Sequence, residues 1–218
     1  YYHRAIELLF DIALHSNFPA KEVEKEKEVI IDEINSYLDS PSEAIFDDFE
    51  EQIFKGHPIG RNILGTIKSV KSFTRQHILN FIARNYGFNR MVFSSVGNIS
   101  SKKLKVQLEK CIGQVETPVC VRQIQQPTAY QADKIQTERT GYQTHSIIGC
   151  PAYAVNEEKA RVLMLLNNLL GGPGMNSRLN LNIREKYGFT YHLESFYQPY
   201  SDTGLFGVYL GTDPGTIS

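Results

Sequence analysis

The segment Ala20–Leu38 sets Val23, Ile30, Ile34 and Tyr37 along one stripe of a helix and fills the rest with charge. A segment patterned this way is stable only when the stripe lies on a partner, so it requires an amphipathic helix packed against a core. Two of its acids, Glu26 and Glu33, stand seven residues apart. On a 3.6-residue helix they point within about 20° of each other and lie roughly 10 Å apart along the axis. The same rotation puts them roughly 50–70° to one side of the stripe, bordering the packed face. Glu24, Lys25, Lys27, Glu28 and Asp32 cover most of the remainder. Pairs such as Glu22–Lys25 and Glu24–Lys27 also suit a plain solvated face.

The flanking pattern is helical first and mixed afterwards. Ala5–Ser16 reads as a helix that Asn17-Phe-Pro-Ala breaks. Ser40 before Pro41 starts another, running to Phe54. Gly56-His-Pro-Ile-Gly60 is turn chemistry, followed by a short helix near Ile67–Lys71. Thr74 caps a helix through Tyr86, Met91–Val96 reads as a strand, and Ser100–Cys111 as a helix. From Gln114 to Gln131 there are two prolines, five glutamines and no long apolar period, the composition of a linker. Beyond it, Lys134–Glu138 and Gln143–Gly149 read as paired strands, and Asn156–Leu170 as a helix. Gly171-Gly-Pro-Gly174 reads as a loop, Ser177–Tyr187 as a helix, and Thr190–Phe196 with Gly204–Gly211 as a hairpin. The expected class is α+β: two consecutive domains, 1–113 and 132–218, joined by 114–131, each an antiparallel sheet covered by helices.

Composition excludes several functions. A net charge of −1 offers no electrostatic footprint for nucleic acid or an anionic membrane surface. No apolar run approaches the roughly 18 residues that span a bilayer. Cys111, Cys120 and Cys150 lack metal-type spacing and, being odd in number, favour free thiols. Gly171-Gly-Pro-Gly-Met-Asn-Ser matches neither Gly-x-x-x-x-Gly-Lys-Ser/Thr nor Gly-x-Gly-x-x-Gly after a strand. It suits a helix–helix connection capped by Asn176 or Ser177 better than a phosphate loop.

Two clusters carry chemistry when they are taken together. Glu26-Lys-Glu-Val-Ile-Ile-Asp-Glu33 is followed by His57-Pro-Ile-Gly-Arg-Asn-Ile-Leu-Gly65. Far downstream stands Leu181-Asn-Ile-Arg-Glu-Lys-Tyr-Gly-Phe-Thr-Tyr191. With Ala5-Ile-Glu-Leu-Leu-Phe-Asp-Ile and Ser16-Asn-Phe-Pro, these resemble the insulinase/pitrilysin family of zinc peptidases over nearly the whole chain. The resemblance implies repeated domains with helices over an antiparallel sheet. It also implies Glu33 as a zinc ligand and Glu26 as an auxiliary carboxylate, with Lys27 where the family has Arg. Arg184 and Tyr191 match the Arg and Tyr, seven apart, that hold substrate carbonyls and the developing oxyanion. Taken alone, both could be structural, with Arg184 paired to an acid such as Glu194. The implied substrate is an extended peptide added to a sheet edge, and the implied assembly is a homodimer or clam-shell pairing.

The family's His-x-x-Glu-His motif is missing. His3, His15, His57, His77, His145 and His192 include no pair four apart on one helical face. Each suits a surface or locally bonded role. Both ends look cut, so the motif is expected some tens of residues before Tyr1. The expectation is therefore a fragment inactive alone and binding no zinc alone, from a parent that is a zinc endopeptidase. The alternative is a non-catalytic scaffold or partner subunit of the same family.

Overall fold

The computed structural model describes residues 1–113 and 130–216, with positions 117, 119, 121, 125 and 127. The expected linker thus falls largely outside the described residues. In chain order the first helices are α1 (Tyr2–Leu14), α2 (Ala20–Leu38), α3 (Pro41–Ile53) and α4 (Ile67–Ser72). Next come α5 (Arg75–Asn85), α6 (Ser101–Ile112), strand β1 (Thr144–Ala152) and α7 (Glu158–Gly171). A further helix, α8 (178–187), is π-helical over Asn180–Glu185 and leads into β2 (His192–Pro199) and β3 (Gly204–Thr212). This is the expected α+β architecture. Among the described residues no helix is long and apolar enough to cross a membrane.

The chain gathers into two compact units, Tyr1–Ile31 with Ile67–Ile124 and Asp32–Thr66 with Gln125–Ser218. The division falls inside α2. Along that helix Ile34 is buried and Val23, Ile30 and Tyr37 are half-buried, the stripe expected from their spacing.

In the first unit α1 lies beside α6, with Ile6 buried. The turn after α1 is closed by Arg75, whose guanidinium donates to the carbonyls of Asn17 and Phe18 at 2.9–3.2 Å. Phe18 holds φ at 46°, a left-handed conformation that costs a bulky residue energy, and these bonds offset it. Thr74 caps α5 as expected. Its hydroxyl accepts from the His77 backbone N–H, and His77 Nδ1 accepts in return from the Thr74 N–H at 3.2 Å. Histidine here fills the place that Glu or Gln takes in a capping box. Met91–Val96 differs from its expected strand. Met91 is extended, but the segment has no ladder partner among the described residues, and a strand exists only by pairing.

The second unit holds a three-stranded antiparallel sheet in the order β1-β3-β2. Each of the nine residues of β1 faces a residue of β3, from Thr144 opposite Thr212 to Ala152 opposite Gly204. β2 and β3 form the expected hairpin. Lys134–Glu138 forms no strand, because β1 pairs with β3, whose apolar residues give its ladder a buried face. α3 covers one side of the sheet, burying Phe49, Ile53 and Phe54 with Leu205 and packing on Ile147, Phe196 and Tyr200. α7 packs against β2 on the other side, where Ser195 Oγ donates to the Asn167 carbonyl at 2.9 Å. Strand alternation explains the split: Glu194 and Phe196 face α3, while Leu193 and Ser195 face α7.

Candidate substrate-binding site

Where α7 ends, α8 begins and β2 starts, the second unit has an open cavity of about 500 Å³. Its walls combine Gly171, Gly172 and Pro173 with Asn167, Arg184 and Tyr191. Gly171 lets α7 end directly on the strand, since a Cβ there would collide with the backbone nitrogen of Ser195. The glycine loop behaves as a connection. Asn180 donates to Ser177 Oγ at 2.8 Å, and both residues are buried.

Arg184 and Tyr191 are brought to this cavity by a short, well-braced corner. Arg184 stands on the π-helical stretch, where the widened turn shifts the side-chain register. Gly188 ends α8 at φ 64°, the left-handed position expected of it, and its N–H bonds the Arg184 carbonyl at 2.9 Å. Two buried threonines then cross-tie the corner to β3. Thr190 Oγ1 donates to the Gly211 and His192 carbonyls, and Thr212 Oγ1 to the Phe189 carbonyl. The backbone of Tyr191 is thereby held while its ring stays 79% exposed.

Neither the Arg184 guanidinium nor the Tyr191 hydroxyl has a hydrogen-bond or ion-pair partner among the described residues. The alternative pairing of Arg184 with Glu194 does not form. Glu194 lies 3.7 Å from His192, two residues away on the same face of β2. Both groups are thus free to donate to an oxygen acceptor at the cavity.

The other two expected residues stand elsewhere. Glu26 and Glu33 are exposed on α2 and make no hydrogen bond or ion pair among the described residues. Glu33 does not line the cavity. Their neighbours do pair, Lys25 with Glu22 at 3.0 Å and Lys27 with Glu24 at 2.7 Å. A catalytic zinc takes three protein ligands and leaves a position open. Among the described residues no three His, Cys, Asp or Glu side chains converge to hold a metal ion. The donors among the described residues, with Glu33 joined by no His or Cys, do not fit zinc as a complete site.

Sequence reasoning missed one polar cluster on the α3 side. His145 and His192 both stand opposite Gly211, one on each flanking strand. Tyr209 fills the space that Gly211 leaves, its hydroxyl 2.8 Å from His145 Nδ1. Only the strand register reveals this rung. Burial, and then the nearby His192, hold the His145 imidazole below the ordinary value of 6.5. The unfolded chain therefore binds the proton first as pH falls. The stability His145 contributes is complete above about 6.5 and is lost as pH drops through that value toward the lowered folded one. Urea unfolding should show lower stability near pH 5.5 than near pH 7.5. His145→Gln should flatten that dependence, and an unchanged slope would remove His145 as its source.

The second unit thus joins an α+β fold to a cavity at a helix–strand corner. Residues 72–218 match the model of the peptidase M16 inactive domain, and residues 1–67 that of insulinase (peptidase family M16). The chain belongs to peptidase family M16. It is 32% identical to the uncharacterized zinc protease YmxG of Bacillus subtilis, over 95% of this chain and 50% of that protein. It is 30% identical to the probable mitochondrial-processing peptidase subunit beta of Schizosaccharomyces pombe, over 96% of this chain and 48% of that one. The crystal structure of a peptidase M16 inactive domain from Pseudomonas fluorescens superposes with a TM-score of 0.90 at 22% identity, covering 96% of this chain and 51% of that one. The chain spans about half the length of the curated relatives it matches.

Proposed function

We propose that this chain is part of a zinc-dependent endopeptidase that hydrolyses peptide bonds of extended peptides, and that it is inactive by itself. The carrying observation is the cavity where Arg184 and Tyr191 present donors without partners. In this reading both donate to substrate carbonyls and to the oxygen on which negative charge develops. β2 borders the cavity and is an edge strand among the described residues, which suits a peptide bound in extended form. The full-length protein carries zinc, for which this chain supplies Glu33, with Glu26 as an auxiliary carboxylate. The remaining ligands come from outside these residues.

The assembly proposed is a homodimer, in which Glu33 of one copy serves the same site as Arg184 and Tyr191 of another. Similarity to a protein named as a subunit supports assembly with another chain. The second reading is a non-catalytic scaffold or partner subunit. It is favoured by the match of 72–218 to a domain described as inactive.

Zinc stoichiometry of the full-length protein separates the two. The enzyme reading expects one equivalent per site, lowered at least about tenfold in affinity by Glu33→Gln, with peptide hydrolysis lost in parallel. A full-length protein without zinc or hydrolysis would leave the scaffold reading. Zinc that binds equally well to Glu33→Gln would remove Glu33 as a ligand.

A further inference from the structure

Asn167 is one of the polar residues bordering the cavity, with Asn168, Asn180, His192 and Glu194 among the others. It stands near the end of α7, and its main-chain carbonyl accepts from Ser195 Oγ at 2.9 Å, which ties the residue to β2. Its side-chain oxygen is buried with no hydrogen-bond partner, and no other buried side-chain polar atom among the described residues is left so. Its amide nitrogen makes no hydrogen bond there either. Native proteins rarely keep such an orphan, and those they keep call for an explanation. Asn167 borders the same cavity as Arg184 and Tyr191.

The three side chains are chemically complementary. A guanidinium only donates, and the Tyr191 phenol donates in the proposed function. An amide oxygen only accepts. A peptide group offers one carbonyl and one N–H, so a cavity with donors alone would satisfy half of it. The geometry points to Asn167 as a substrate-binding residue that accepts a hydrogen bond from one backbone N–H of the bound peptide. The cavity then recognises secondary amides and rejects an N-alkylated residue, proline included, at that single position. Since the oxygen is covered, a ligand N–H reaches it when the amide turns toward the cavity, and that turn breaks no hydrogen bond. This inference rests on the reading of Arg184 and Tyr191 as holders of the substrate backbone.

Its test uses the full-length protein, one cleavable peptide and the same peptide N-methylated at each backbone position in turn. In the wild type one N-methyl position lowers kcat/KM about tenfold beyond its neighbours, the worth of one good hydrogen bond. Asn167→Leu lowers kcat/KM of the parent peptide by a similar factor and abolishes the extra penalty at that position. Its unfolding midpoint stays level or rises, because an apolar isostere replaces an unsatisfied buried amide. Asn167→Leu that unfolds early or fails to fold would make the amide structural and overturn the inference. So would an N-methyl profile without a sensitive position, or one that Asn167→Leu leaves intact. Tyr191→Phe, assayed beside them, separates the two ideas. If it leaves turnover unchanged, the Arg184/Tyr191 reading fails. If it slows turnover while the N-methyl profile ignores Asn167, the inference about Asn167 alone falls.

Discussion

Tyr191→Phe in the full-length protein lowers kcat for an extended peptide by about 10²-fold, with KM little changed. The hydroxyl is the only atom removed, and it has no structural partner to lose among the described residues. In the proposed function its loss is therefore felt only where charge develops on a substrate oxygen, which is a transition-state interaction. Arg184→Leu should act at the same place but raise KM as well, since in the proposed function its guanidinium also binds the ground-state carbonyl. The thermal midpoint of Tyr191→Phe should match the wild type, for the ring is 79% exposed. Steady-state kinetics on one peptide series decides the matter. A Tyr191→Phe enzyme within about threefold of wild-type kcat would exclude the phenol from the reaction.

Phe49→Ala has the largest expected effect on stability, roughly 3–5 kcal/mol. Phe49 is 8% exposed and lies in the cluster that α3 forms with Ile53, Phe54 and Leu205. Its ring meets Phe196 of β2 edge-to-face, with centroids 6.3 Å apart, and those aromatic contacts add to the burial. Truncation leaves a cavity between helix and sheet that rigid strands cannot close. Urea unfolding of this chain reads the loss directly. Leu8→Ala is the control, because Leu8 is 59% exposed and should cost almost nothing. A Phe49→Ala loss below about 1 kcal/mol would mean that α3 does not seal the sheet.

Local chemistry was readable wherever one segment decides its own shape. The stripe of α2, the Thr74 cap and the left-handed Gly188 each depend on residues a few positions apart. Pairing was readable only for the hairpin of β2 and β3, whose strands are neighbours in sequence. The partner of β1 was not, because β3 lies some sixty residues on, as in Thr144 opposite Thr212. Hydrophobic alternation says which face a strand buries, not which strand it joins. Met91–Val96 has the β-branched composition of a strand and no partner to make it one among the described residues.

The site divides the same way. Arg184 and Tyr191 could be named from their spacing and the family likeness, but their freedom from partners could not. Glu194, which also borders the cavity, lies 3.7 Å from His192 and pairs with no arginine. Asn167 gave no signal in sequence, since an orphan atom is defined only by what surrounds it. The amino-acid order by itself determined most of the helices, the Thr74 cap, the corner after α8 and the peptidase family. Tertiary structure alone decided the strand order, the rung of His145 and His192 across Gly211, and which polar atoms stay unsatisfied at the cavity. The physical reason is range: helices and caps are set by bonds a few residues long. Strand pairing and polar satisfaction depend on residues that only folding brings together.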